Sequence, residues 1–286
     1  MTETAAPPPS SVANTADASA EASAEAMKRT SSGFITRTRP VFDTIEEERR
    51  HRLERLAAAC RIFGKLGFSE GLLGHVTVRD PEHPDRLWAN PLGISFNRIK
   101  VSDLVQADHH GNLTYGERPI NPVGLLLHSA IHRARPDVEA VCHAHSTYGS
   151  AWSVFARPVD PLTQDSCVFF EDQAVFVEPR VAMNADHANQ FAAAIGDKRV
   201  AIQVGHGVFT TGASVDEAAW WFIGMDKACQ VQLMTASASA TAGPPQMWPD
   251  EVARGTKRGL GSPAFGWLSF QTLWDEIIVT DPDCLD

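Results

Sequence analysis

Residues 139–149 read EAVCHAHSTYG. Small and β-branched residues lead into two histidines, and Ser-Thr-Tyr-Gly breaks the run. Val141 to His145 therefore reads as a short strand ending in a turn. Side chains alternate faces along a strand, which points His143 and His145 the same way. Such a pair is either half of a metal clamp or two ordinary polar residues near a strand end. The local pattern leaves both open.

Working outward, the spacing predicts a helix over about 123–134 that ends before Pro136. After the histidines come a helix over 147–156, strands near 167–170 and 174–178, a helix over 185–195, a strand over 199–205 and a helix over 215–235. Before them, runs at 75–80, 86–91, 103–108 and 112–116 read as strands, the last two joined by a turn at His109-His110-Gly111. Thr44-Ile45-Glu46-Glu47 has the capping-box pattern, opening a helix to about Leu66 with Leu53, Leu56, Ala57, Cys60 and Phe63 on its buried face. Hairpins followed by strands alternating with helices predict an α/β fold with a mixed sheet between helices.

Composition sets the outer limits. With 43% hydrophobic and 21% charged residues, the chain is that of a globular protein, and no apolar run suits a membrane helix. A net charge of −10 without a basic stripe argues against nucleic acid as a partner. Cys60, Cys142, Cys167, Cys229 and Cys284 are scattered with no CxxC pair, which suits reduced thiols and a cytoplasmic location. Residues 1–40 are Ala/Ser/Thr/Pro-rich and read as a disordered tail, and 41–240 read as one domain. A linker is expected after Ser237. Residues 241–286 carry Trp248, Phe265, Trp267, Phe270 and Trp274, an aromatic arm expected to dock on the domain or on a neighbouring subunit.

A third histidine changes the reading of the pair. AIQVGHGVFTTG, residues 201–212, is again a strand leading into a histidine, His206, between Gly205 and Gly207. Three neutral imidazoles suit a divalent transition metal such as Zn2+ or Fe2+ and leave coordination positions for substrate.

HSAIHRARPDVEAVCHAHSTYG, then VGHGVFTTG about sixty residues later and the helix SVDEAAWWFIGMDKACQ, resemble the class II aldolase/adducin family. The earlier GHVTVRD and LWANPLGISF resemble segments of the same domain, so the likeness runs from about 45 to 240. It implies a three-layer αβα domain, a divalent metal on His143, His145 and His206, and a homotetramer with its site at a subunit boundary. The departures are specific. Where sugar-phosphate aldolases of the family carry a proton-transferring glutamate, nineteen residues before His143, this chain has Gly124. Where they grip phosphate, it has His75, Leu92, Pro122 and Val123.

These substitutions leave several roles to assign. His75 stands where a substrate-facing residue is expected and is a candidate for substrate binding, or else caps a strand. Glu171, after a short apolar strand, is the candidate replacement for the missing base. His128 is expected to have a structural or supporting role and His132 to face solvent. His83, His109, His110 and His187 are read as loop or surface residues.

Three functions are therefore expected in turn. The first is a metal-dependent lyase, of aldol or decarboxylation type, acting next to a carbonyl of a small unphosphorylated hydroxy or oxo acid. The second is a non-haem Fe(II) oxygenase cleaving a 2-oxo or 2-hydroxy acid. The third is a non-catalytic, adducin-like interaction domain.

Overall fold

A computed structural model describes residues 37–178 and 184–286; the tail read at 1–40 lies, up to residue 36, outside them. The first helix, α1 (Ile45–Lys65), begins as its capping box dictates. The Thr44 hydroxyl accepts from the Glu47 backbone N–H, and the Glu47 carboxylate accepts from the backbone N–H of Thr44. Two donors that the helix cannot use internally are satisfied in this way.

Eight strands form one sheet: β1 (His75–Arg79), β2 (Arg86–Ala89), β3 (Val105–Asp108), β4 (Leu113–Tyr115), β5 (Ala140–Ala144), β6 (Gln173–Phe176), β7 (Val200–Gln203) and β8 (Gly207–Gly212). Their order is β4-β3-β2-β1-β5-β8-β7-β6. The pairs are antiparallel except β6 on β7, which makes the sheet mixed. Between the strands run α2 (Pro122–Ala134), α3 (Thr147–Ser153), α4 (Gln164–Cys167) and α5 (Ala185–Ile195), and α6 (Val215–Ala242) follows β8. Then come α7 (Asp250–Leu260) and α8 (Pro263–Thr280).

Strand alternation puts two of the three buried apolar clusters on opposite faces of the sheet, the third lying around Leu87, Val105 and Leu125. Ala140, Cys142 and Ala144 of β5 join Val76 and Val78 of β1 beneath α1, α6 and α8, where Leu56, Phe222 and Phe270 are buried. Val141 turns to the opposite face with Leu127 and Ile131 of α2 and Phe191 of α5. Helices thus cover both faces, giving a three-layer αβα arrangement. His143 follows Val141 by two residues, so it lies on the α2–α5 side.

The second half corrects the expectations in two places. No strand forms at 167–170. Thr163 caps the short helix α4 by accepting from the Ser166 N–H, and the apolar run continues as turns that bury Phe169 edge-on to Trp221. Helix α6 runs through Ser237 to Ala242, because the Ala- and Ser-containing segment sustains the helix until Gly243 ends it at a φ of +85°. The aromatic arm forms α7 and α8. Arg55 of α1 donates to Asp216 of α6 (3.0 Å) and to Gln271 of α8 (3.2 Å), Gln271 donates to Asp216 (2.8 Å), and the Arg55 guanidinium lies 3.6 Å from the centre of the Trp274 ring. This buried clamp ties the three helices together.

Candidate metal centre

The histidine signals converge. His143 lies within β5 and His145 just past its end, while His206 occupies the turn between β7 and β8. Gly205 (φ +67°) and Gly207 (φ +152°) flank it, and both values favour glycine. Because β5 pairs with β8, this turn lies beside the end of β5. One ligand atom from each of the three histidines lies within 4.8 Å of those from the other two. The closest approach is 3.1 Å, between Nε2 of His143 and Nε2 of His206.

The surroundings fix which nitrogen of His143 is bare. Its Nδ1 lies 2.9 Å from the carbonyl oxygen of Val208. A carbonyl only accepts, so Nδ1 carries the proton and Nε2 keeps its lone pair toward the cluster. Phe209 stacks on the same ring at 4.0 Å and 9°, restricting its rotation. Burial lowers the pKa of His143 well below the ordinary value, with the neighbouring histidines adding to it. Burial, then His145, lowers His206 to about 4. His145 is also lowered by burial, against the opposing charge of Glu70. Neutral imidazoles with converging lone pairs are the form in which histidine binds metal. The donor set therefore fits a divalent ion such as zinc or iron(II).

His75 adjoins this cluster. It pairs with His143 across β1 and β5, and the two rings lie 4.9 Å apart. It is 6% exposed, and its Nδ1 is 2.8 Å from Nε2 of His128. His128 reaches the Thr77 hydroxyl through Nδ1 at 2.8 Å, and the same hydroxyl lies 3.1 Å from Nε2 of His132. Burial lowers the pKa of all three histidines well below the ordinary value. His132 is 1% exposed, which corrects its assignment to solvent: the i, i+4 spacing puts it below His128 on the inner face of α2. His187 is likewise buried under the sheet edge against Phe176.

Glu171 is not brought to the histidines. β6 is parallel to β7 and starts opposite Val200, whereas His206 lies beyond the other end of β7. Glu171 precedes β6, is exposed, and pairs with Arg254 of α7 at 2.7 Å. The carboxylate whose charge acts on His145 is Glu70, in the loop before β1. That loop offers no helical or strand pattern from which the sequence alone could single it out.

Leu92 lines a small cavity with Ser69, Asn90 and Asn121. The start of α2 does not offer free donors there. Asn121 caps the helix by accepting from the backbone N–H groups of Val123 and Gly124 at 3.1 and 3.2 Å.

Fold and site together define a class II aldolase-type domain. The profile of the Class II Aldolase and Adducin N-terminal domain matches residues 54–233, and the chain belongs to this family. Among its relatives is "Decarboxylase NovR" of Streptomyces niveus, 44% identical over 85% of this chain and 90% of that protein. A second, "4-hydroxy-3-prenylphenylpyruvate oxygenase/4-hydroxy-3-prenylbenzoate synthase" of Streptomyces roseochromogenus, is 44% identical over 85% and 88%. The solved L-fuculose 1-phosphate aldolase from Glaciozyma antarctica superposes with a TM-score of 0.80 at 37% identity, covering 87% of this chain and 97% of that one.

Proposed function

We propose that this protein is a metal-dependent carbon–carbon lyase of aldol or decarboxylase type, acting on a small unphosphorylated 2-oxo or 2-hydroxy acid. The carrying observation is the convergence of His143, His145 and His206, with the Nε2 lone pair of His143 directed at the other two. A divalent ion held there would stabilise negative charge developing on the carbonyl oxygen as the bond breaks. The protein's own groups do the rest. Three neutral imidazoles leave an ion's positive charge uncompensated for an anionic substrate, Phe209 holds the His143 ring, and His75, whose ring lies 4.9 Å from that of His143, would contact the bound molecule. The names of the two Streptomyces relatives support an acid substrate, one of them an arylpyruvate.

The aldolase neighbour is named for a sugar phosphate, and that reading is set aside here on local chemistry. Leu92, Pro122 and Val123 offer no side-chain donors, and Asn121 already uses the N–H groups of Val123 and Gly124. A phosphate dianion without partners is costly to desolvate. Cleavage of fuculose 1-phosphate at a rate within tenfold of a sugar-phosphate aldolase would overturn this exclusion.

The second reading is an Fe(II) oxygenase, favoured by the printed name of one relative. Metal analysis of protein purified with and without air, paired with oxygen uptake on 2-oxo and 2-hydroxy acids, separates the two. Zinc with anaerobic turnover supports the lyase; iron with oxygen uptake supports the oxygenase. Protein that binds no metal and turns over neither acid class would instead match an adducin-like scaffold.

The assembly proposed is a homotetramer in the cytoplasm. Leu72, Leu73, Val154 and Phe155 are exposed apolar residues that a partner copy would cover, and the five cysteines are free thiols. No helix among the described residues is long and apolar enough to cross a membrane. Light scattering that returns the monomer mass of 31.1 kDa at micromolar concentration would exclude the tetramer.

A further inference from the structure

The small cavity lined by Leu92, Ser69, Gly74, Phe96, Asn90 and Asn121 adjoins the histidine cluster on two sides. Gly74 directly precedes His75, and a Cβ built on it would lie 3.5 Å from Cα of Ala144, the residue between His143 and His145. Asn121 holds the N–H of Gly124, and a Cβ there would meet the His75 ring.

The backbone orients both asparagines. Oδ1 of Asn90 accepts from the Val76 N–H at 2.9 Å, and Oδ1 of Asn121 accepts from those of Val123 and Gly124 at 3.1 and 3.2 Å. A backbone N–H only donates, so the atom facing it is the amide oxygen and the amide nitrogen is left over. Neither Nδ2 has a hydrogen-bond partner among the described residues, and neither is sealed from solvent. Two accessible donors, fixed by their own oxygens, thus stand in the wall of one cavity.

Charge and size limit what this pair can hold. No charged side chain lines the cavity, and its free volume of about 10 Å³ suits one water-sized group. A phosphate dianion brings more charge and more oxygens than two neutral amides can satisfy. A carboxylate would find its countercharge at an ion on the three imidazoles instead. One neutral oxygen matches the pair, because a hydroxyl or carbonyl oxygen accepts two hydrogen bonds. Leu92 and Phe96 supply apolar wall for the carbon that carries it.

We propose that Asn90 and Asn121 form a specificity site, donating through both Nδ2 atoms to one neutral oxygen of the substrate beyond its metal-bound end. The site then selects 2-oxo or 2-hydroxy acids with a second hydroxyl or carbonyl on the side chain over those ending in hydrocarbon. This rests on the lyase or oxygenase reading for the metal-bound end, but the pairing of the two amides stands apart from it.

The test has two parts. In crystals of the full-length protein, metal-free and zinc-loaded, one ordered water should lie about 3 Å from both Nδ2 atoms. Amides that share no such oxygen overturn the proposal. The second part measures binding to the zinc-loaded protein by calorimetry. Glycerate, 2,4-dihydroxybutanoate and 2,5-dihydroxypentanoate are each compared with lactate, 2-hydroxybutanoate and 2-hydroxypentanoate. At least one dihydroxy acid should bind about tenfold more tightly than its partner, the size expected for one or two hydrogen bonds. Asn121→Ser and Asn121→Asp keep an oxygen that caps the helix but lose the amide donor. Each should cut that preference at least about threefold with zinc content unchanged, whereas a purely structural Asn121 would leave it as it was. Dihydroxy acids that bind no better than their partners, or do not bind, overturn the proposal, as does a preference that survives both variants. Failure of the three-histidine reading is distinct: zinc would not bind, while the water shared by the two amides would remain.

Discussion

An added Cβ on Gly124 would lie 2.3 Å from Cδ2 of His75 and 2.5 Å from its Nε2. The two residues share one volume, and the imidazole occupies what any larger residue at 124 would need. Alanine usually stabilises a helix interior by about 1 kcal/mol over glycine. Here Gly124→Ala is expected to destabilise by about 1–3 kcal/mol, because the ring must move within a packed interior. Adding His75→Ala should remove the clash, making the two changes non-additive by more than about 0.5 kcal/mol in a urea-unfolding cycle. Additive losses would reject the shared volume.

Metal occupancy should depend on each histidine of the cluster. His206→Ala and His145→Ala leave two protein ligands, too few for a well-held catalytic site. Bound metal is expected to fall at least about tenfold and activity with it, as outer-sphere changes alone reach that size. The unfolding midpoint should stay close to wild type, because neither side chain belongs to any of the apolar clusters. His110→Ala, on the exposed turn before β4, is the control and should retain both metal and activity. Full metal in His206→Ala would refute the site.

Acid should unfold the protein through its neutral histidines. His51 is lowered to about 4, by burial and then by Arg55 and Arg52, and His128 and His132 are lowered well below the ordinary value, chiefly by burial. Below about pH 6.5 the unfolded chain binds protons that the folded chain refuses, so this stability is lost as pH falls toward the folded pKa values. Glu139 acts in the opposite sense. Burial raises it to about 7, so its contribution is present at low pH and lost as pH rises through that value. The histidines lowered by burial outnumber the raised carboxylates Glu139 and Asp216, so the melting temperature declines from about pH 7 to about pH 5. A flat or rising profile would contradict this balance.

Asp216 anchors the clamp between α1, α6 and α8. Removing it leaves the buried Arg55 charge without its carboxylate. Asp216→Ala is therefore expected to cost about 3–5 kcal/mol in denaturant unfolding. Trp274→Ala, which removes only the stacked ring, should cost less. A loss below 1 kcal/mol in the first variant would mean that the arm docks independently of the clamp.

What the sequence made legible follows from how local each signal is. The capping box at Thr44, the strand before His143 and the glycines around His206 are short-range patterns, and each element formed there. Helix α4 is not legible locally, because Cys167-Val168-Phe169-Phe170 has the apolar look of a strand, while the cap that redirects it is a single threonine four residues earlier. The burial of His132 is hidden for a different reason. Spacing puts it on one helical turn with His128, but only the tertiary partner Thr77 decides that a histidine can be buried there. Gly124 and His75 were visible as two separate oddities. Their dependence on each other needed the β1–α2 contact, forty-nine residues apart in sequence.

The origin of the three imidazoles in the chain also bears on assembly during synthesis. His143 and His206 are 63 positions apart, and they meet only when β5 has found β8. Contacts closed over so long a loop are slow to form, so the centre matures late, after the helices and the first hairpins. A nascent chain that has emerged only as far as β5 carries two of the three imidazoles on an unpaired strand edge. Competence to capture the ion therefore arrives with the β7–β8 hairpin, and ion uptake during refolding can serve as a clock for closure of the sheet.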